Sequence, residues 1–257
     1  MTRSTGKVRG LFKAAASLLF WIVVWYIAAY RVGQELILPT PLSVIKTLAS
    51  LILTSDFWAA TAISLFRIFG GFLLGLVAGT LLAAATETWT VLDVVLSPLI
   101  RVVRATPVAS FIILALLWLG RANVPYFTAM LMVTPIIWGT VTNSVKAADV
   151  NLLEMAKAYS FGRLKTLRLI YIPSVYPSWR SATVTSVGLA WKAGIAAEVL
   201  CLPRSAVGTN LYYSKIYLET PSLFAWTAVI VIMSFLLETV FVSLTSGKPT
   251  GGPHDKI

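Results

Sequence analysis

Arg67, Arg101, Arg104, Arg180, Lys192, Glu198 and Glu238 stand in or beside stretches that are otherwise apolar enough for a bilayer. A charge at the centre of a membrane costs at least about 2.5–3.5 kcal/mol, so each of these must reach an interface, find a partner or line water. Arg101, Arg104 and Arg180 lie near expected helix starts and can snorkel to headgroups. Arg67 lies near the end of an expected span, where it can meet headgroups or a docked protein. Lys192 and Glu198 lie deeper, and their separation puts them on different helix faces, so they are not a simple helix pair. Lys192 is either an electropositive element of a pathway or a structural pair with Glu238, or with Glu198 of a second copy.

A second constellation lies in the basic, polar stretch 151–177, NLLEMAKAYSFGRLKTLRLIYIPSVYP. Residues 152–161 favour a helix, with Glu154 near its start, where a carboxylate suits the dipole. Leu153, Ala156 and Tyr159 or Ser160 recur at helical spacing and form a narrow apolar face. Gly162 breaks the run, a second short helix fits 165–171, and Pro173 sits where a further helix can begin. The expected product is a pair of short helices with an exposed apolar stripe, which suits a groove on another protein.

The elements that position these residues follow from composition. The chain has 257 residues, of which 58% are hydrophobic and 12% charged. A soluble domain has about 25% charged residues, so a polytopic all-α membrane protein is expected. Six spans are expected at about 14–30, 60–86, 97–119, 125–145, 174–200 and 223–244. A cytoplasmic tail at 1–13, a cytoplasmic loop at 147–173 and a tail at 246–257 flank them. The first run is too long for a cleavable signal peptide. Gly71, Gly75 and Gly79 fall on one face of the second span and allow close helix packing. Pro135 is expected to kink the fourth span.

The net charge of +11 follows the spans. Expected inner segments carry Arg3, Lys7, Arg9, Lys13, Lys146, Lys157, Arg163, Lys165, Arg168, Lys248 and Lys256. The outer ones carry Arg31, Lys46, Arg121, Arg204 and Lys215. The positive-inside rule therefore puts both termini and the 147–173 loop in the cytoplasm. The same distribution argues against nucleic acid as a partner.

The 151–173 stretch resembles the EAA loop of permease subunits in binding-protein-dependent ABC importers. Glu154, Ala156 and Pro173 match that pattern, Met155 replaces its usual Ala, and Ser160 occupies its Gly position, with Gly162 two residues later. Leu38-Pro39-Thr40-Pro41, Ser64-Leu65-Phe66-Arg67, Arg104-Ala105-Thr106-Pro107 and Trp191 to Glu198 are similar to the nitrate/sulfonate/taurine-type group. The resemblance implies the type I ABC importer permease fold in a bacterial cytoplasmic membrane. It further implies a second permease subunit forming a homodimer, ABC ATPase subunits that carry ATP and Mg, and an extracytoplasmic substrate-binding protein. Glu154, Met155, Ala156, Ser160, Gly162, Arg163 and Pro173 would then be the ATPase-coupling residues. The cargo would be a small anion such as a sulfonate, taurine or nitrate, or a vitamin precursor.

Other classes fit less well. No G-x-x-x-x-G-K-[ST] occurs, since Gly6-Lys7 precedes Val8 and Gly247-Lys248 precedes Pro249, so the chain has no phosphate cradle of its own. The ten acids are scattered, and Cys201 and His254 are each alone, so no metal cluster or carboxylate pair supports a membrane enzyme. A non-catalytic subunit is expected. The remaining alternative is a gradient-driven carrier or channel without an ATPase partner, though no internal repeat of the carrier kind is evident.

Overall fold

A computed structural model describes the backbone of residues 2–245 and the side chains of residues 15–245. The tail expected at 246–257, and the side chains of Arg3, Lys7, Arg9 and Lys13, lie outside the described residues. Every regular element among the described residues is helical.

Three helices make the core: α3 (Ser55–Thr88), α6 (Val124–Lys146) and α9 (Ile172–Cys201). Helices α3 and α6 run parallel in close contact, because Gly71, Gly75 and Gly79 present bare backbone to α6. A methyl group at Gly75 would stand 2.7 Å from the Met130 carbonyl oxygen, and one at Gly79 would stand 2.6 Å from that of Thr134. Small residues at such a seam let dispersion and carbonyl contacts replace the hydrophobic drive that lipid cannot supply.

Helix α9 runs antiparallel to both and fills the third side. Phe72, Val133, Ile137, Ala190 and Trp191 are buried where the three meet. Indole N–H groups tie the bundle through polar contacts that hydrocarbon makes obligatory. Trp179 donates to Thr80 Oγ1 (3.0 Å), Trp138 to Thr86 Oγ1 (3.0 Å) and Trp191 to the Ile230 carbonyl (2.9 Å). Pro135 lies within α6.

Peripheral elements close the bundle. Helix α1 (Thr2–Val32) touches it through Trp25, which stacks on Phe224 and donates to the Pro39 carbonyl, and through the buried Ala29. Helix α2 (Pro41–Ile52) starts with Thr40 accepting from the Ser43 amide at 3.2 Å and with Pro41 in the first turn, a standard start signal. Helix α11 (Thr220–Thr245) packs on α3 and α9, with Trp226 stacked on Phe57.

The stretch expected as one rod at 97–119 is two helices. Helix α4 (Thr90–Ala105) and α5 (Val108–Trp118) meet at 109°. Pro107 disfavours helical geometry at the residue before it, and Thr106 is accordingly extended (φ −80°, ψ 134°). Because α3 and α6 are parallel, this bent pair must return the chain from the end of α3 to the start of α6. Among the described residues five helices are long and apolar enough to cross a membrane, and six if the bent pair counts as one span. Between the spans expected at 174–200 and 223–244 the chain forms a short helix, α10 (Val207–Ile216).

Candidate functional site

At one end of the bundle, between α6 and α9, the chain forms an elbow. Helix α7 (Val150–Ala158) is capped by Asp149, whose carboxylate accepts from the Asn151 amide at 2.8 Å. Asp149 therefore serves the helix start that the sequence reading gave to Glu154, which lies further along the helix and is exposed. The helix ends in a Schellman arrangement. The Phe161 amide donates to the Ala156 carbonyl (2.8 Å) and the Ser160 amide to that of Lys157 (3.0 Å). Ser160 is left-handed at φ 52°, so the break lies at Ser160 and not at Gly162, which is extended at φ −67°. This is a backbone position that favours glycine.

Beyond the turn, α8 (Arg163–Thr166) passes into a π turn, Leu167–Tyr171, and then into α9. Lys165 lies 4.0 Å over the Phe161 ring. Pro173 stands in the first turn of α9, as expected, but α9 continues the π turn without a break. Pro173 has no N–H for the α-helical ladder and its ring crowds the preceding turn, which the wider π turn just before it accommodates. From Arg163 to Cys201 the chain is one helical run of 39 residues.

The exposed stripe of the elbow differs from the face read in the sequence. Ala156 is only 3% exposed and Leu153 is half-buried, so that face turns inward. The neighbouring apolar side chains, Leu152 (41%), Met155 (41%) and Tyr159 (74%), point away from the bundle. They recur at positions i, i+3 and i+7 of one helical face.

At the opposite end of the bundle, α9 carries Glu198, which is fully buried. Its Oε1 accepts from Arg67 Nη1 at 3.1 Å, and its Oε2 accepts from Ser64 Oγ at 2.8 Å and from the Gly208 amide at 3.1 Å. Ser64 Oγ in turn accepts from the Val207 amide at 3.0 Å. The carboxylate thus joins α3, α9 and the first turn of α10, where backbone N–H groups favour an anion. Arg67 is held in this cluster by Glu198, a structural partner in place of the headgroups or docked protein that the sequence left open. Gly208 makes room: a methyl there would stand 2.5 Å from the Glu198 Cβ.

Lys192 lies on a different face. Ser181, Thr185, Leu189, Lys192, Ala196 and Leu200 form an exposed stripe along α9, and from Ser181 onward the other faces of that helix are largely covered. Lys192 makes no ion pair with Glu198 or Glu238 of its own chain. Glu238 folds over Gly188, where a side chain would collide with its carboxylate. Arg101 and Arg104 fall in the second half of α4, not at a helix start, and Arg104 lies in its last turn, where a cation suits the dipole. No group of three or more His, Cys, Asp or Glu side chains suited to a metal occurs among the described residues.

A helical bundle whose fourth and fifth crossings are joined by such an elbow has the type I ABC importer permease fold. Two solved transporters share it. One is an amino acid ABC transporter with histidines, at TM-score 0.63 and 16% identity, covering 77% of this chain and 95% of that one. The other is the inward-facing MetNI methionine ABC transporter, at TM-score 0.56 and 16% identity, covering 73% and 92%. The chain belongs to the binding-protein-dependent transport system inner membrane component family, which matches residues 71–246. It is therefore an ABC transporter permease, a multi-pass inner-membrane protein of a family whose members are non-catalytic subunits.

Among its relatives is the putative aliphatic sulfonates transport permease SsuC of Bacillus subtilis, 25% identical over 95% of this chain and 87% of the relative. The nitrate import permease NrtB of Synechococcus elongatus is 24% identical over 76% and 73%. The bicarbonate transport permease CmpB of a Synechocystis strain is 29% identical over 63% and 59%.

Proposed function

We propose that this chain forms the membrane pathway of an ATP-driven importer for a small anion and is driven through the elbow at 151–173. The observation that carries the reading is the outward stripe Leu152, Met155 and Tyr159 on a capped helix at the end of the bundle. Apolar side chains on a short helix beyond the spans need a groove to enter, and an ATPase subunit provides one. Glu154, Arg163 and the turn at Ser160 and Gly162 would set the docking angle, and Pro173 with its π turn would join the elbow to α9. ATP and Mg belong to that partner.

The lysine supports the second half of the reading. A mid-span ammonium without a partner should face protein or water. The α9 stripe carrying Lys192, Ser181 and Thr185 would then face the pathway at a junction with a second copy. The sulfonate, nitrate and bicarbonate of the relatives' names are all small anions, which a fixed ammonium and hydroxyl groups suit, as they do taurine or an anionic vitamin precursor. A binding protein would deliver cargo at the end that carries Arg67, Glu198 and α10. The positive-inside count supports a cytoplasmic position for the elbow and both termini.

Copurification from membranes tests the reading. The tagged chain should bring down an ATPase, and Glu154→Lys and Met155→Asp should release it while leaving the chain at normal levels. Recovery of the chain with no ATPase, together with transport that persists without ATP, would overturn the proposal in favour of a gradient-driven carrier.

A further inference from the structure

A cavity of about 730 Å³ opens at the elbow end, between α3, α6, the π turn and the first turns of α9. Its volume falls within the range of about 300–1,000 Å³ common to small-molecule sites. The depth is apolar, lined by Val141 and Val175, and the walls carry Tyr171, Tyr176 and Trp179. The one charged side chain in the lining is Glu87. It lies in the last turn of α3, and Lys146, the final residue of α6, approaches it at 3.4 Å.

Thr80, which accepts the Trp179 indole N–H, marks the lower wall. At 1.5 Å per residue it lies roughly 10 Å below Glu87. The cavity is thus apolar inside and charged at a mouth level with the helix ends. The cavity face of α9 is also distinct from the exposed lysine stripe, being rotated by about 130° at 3.6 residues per turn.

We propose that this cavity is a phospholipid site, taking one acyl chain between α3, α6 and α9 and selecting an ethanolamine headgroup at Glu87 and Lys146. An apolar interior that ends in charge at the level of the helix termini matches the form of a bilayer lipid, and tyrosine and tryptophan are the side chains suited to that depth. The mouth pairs a carboxylate with an ammonium. A zwitterionic head meets it with both signs complementary: its ammonium donates to Glu87 and its phosphate accepts from Lys146. An anionic head with no ammonium would leave Glu87 facing a like charge, and a choline head has no N–H to donate. Leu167 and Tyr171 belong to the π turn, so an occupied cavity braces the joint between elbow and α9.

Native mass spectrometry of the full-length chain, exchanged into equimolar phosphatidylethanolamine, phosphatidylglycerol and phosphatidylcholine, tests the proposal. One phosphatidylethanolamine per chain should survive activation. Its preference over phosphatidylcholine should be about tenfold, the scale of one charge-assisted hydrogen bond. Ala84→Trp fills the cavity from an exposed position and should abolish the retained lipid without changing the melting temperature; Val145→Phe is the second filling variant, should the first not fold. Glu87→Gln should keep the lipid and lose the headgroup preference. Absence of a retained lipid, equal retention by a folded filled variant, or disulfide formation between two Thr88→Cys chains, which would mean that a second copy occupies the mouth, overturns it.

Discussion

Arg67 and Glu198, 131 positions apart in sequence, meet at 3.1 Å at the end of the bundle remote from the elbow. Glu198 is wholly buried and Arg67 is 13% exposed. Removing one member of such a pair leaves an uncompensated charge, at a cost of about 3–5 kcal/mol. Arg67→Met and Glu198→Gln should each lower the melting temperature in detergent, and the Arg67→Met/Glu198→Gln double variant should recover part of the loss. A double variant as unstable as the sum of the singles would show that the two side chains act independently.

Ser160 offers the opposite test. A non-glycine residue in the left-handed region is strained by about 1 kcal/mol or more, so Ser160→Gly should stabilise the elbow and Ser160→Val should weaken it. Limited proteolysis between α7 and α8 reads the difference. Gly162→Ala should be silent by the same measure, because a methyl there meets nothing within 4 Å.

The glycine seam predicts a large effect from small additions. Gly75→Leu places a side chain where the Met130 backbone and the Val133 side chain already stand, so α3 and α6 must separate. Reduced membrane yield and a lower melting temperature are expected. Leu74→Ala, one position away on an exposed face, should change neither.

Lys192→Met tests the pathway face. If the ammonium attracts the anion, transport should fall at normal protein level and Lys192→Arg should restore most of it. Unchanged transport by Lys192→Met would remove the lysine from the pathway.

The all-helical membrane class, with about six apolar runs, was legible because hydropathy acts locally: an apolar run long enough to cross a bilayer is visible without its neighbours. The glycine spacing was legible for the same reason, since a four-residue repeat fixes one helix face. Pro107 was visible, but the 109° between α4 and α5 was not, because an extended residue before proline permits many directions. The partner of Glu198 was hidden because it depends on α3 and α9 being antiparallel, which no local pattern encodes. At the elbow the turn was misplaced by two residues because serine seldom adopts a left-handed backbone and glycine often does. Which face of α7 is exposed, Leu152 and Met155 and not Leu153 and Ala156, depends on how the elbow packs on the bundle, which helical spacing alone does not encode.

The uninterrupted run from Arg163 to Cys201 has a mechanical consequence. At 1.5 Å per residue its 39 residues form a shaft roughly 58 Å long. One extremity begins at the elbow and the other grips α3 and α10 through Glu198. A push delivered at the near extremity therefore arrives at the far one as rotation or translation of a single rod, without crossing a flexible connector. Its yielding points are the π turn and Pro177, which removes one bond from the ladder.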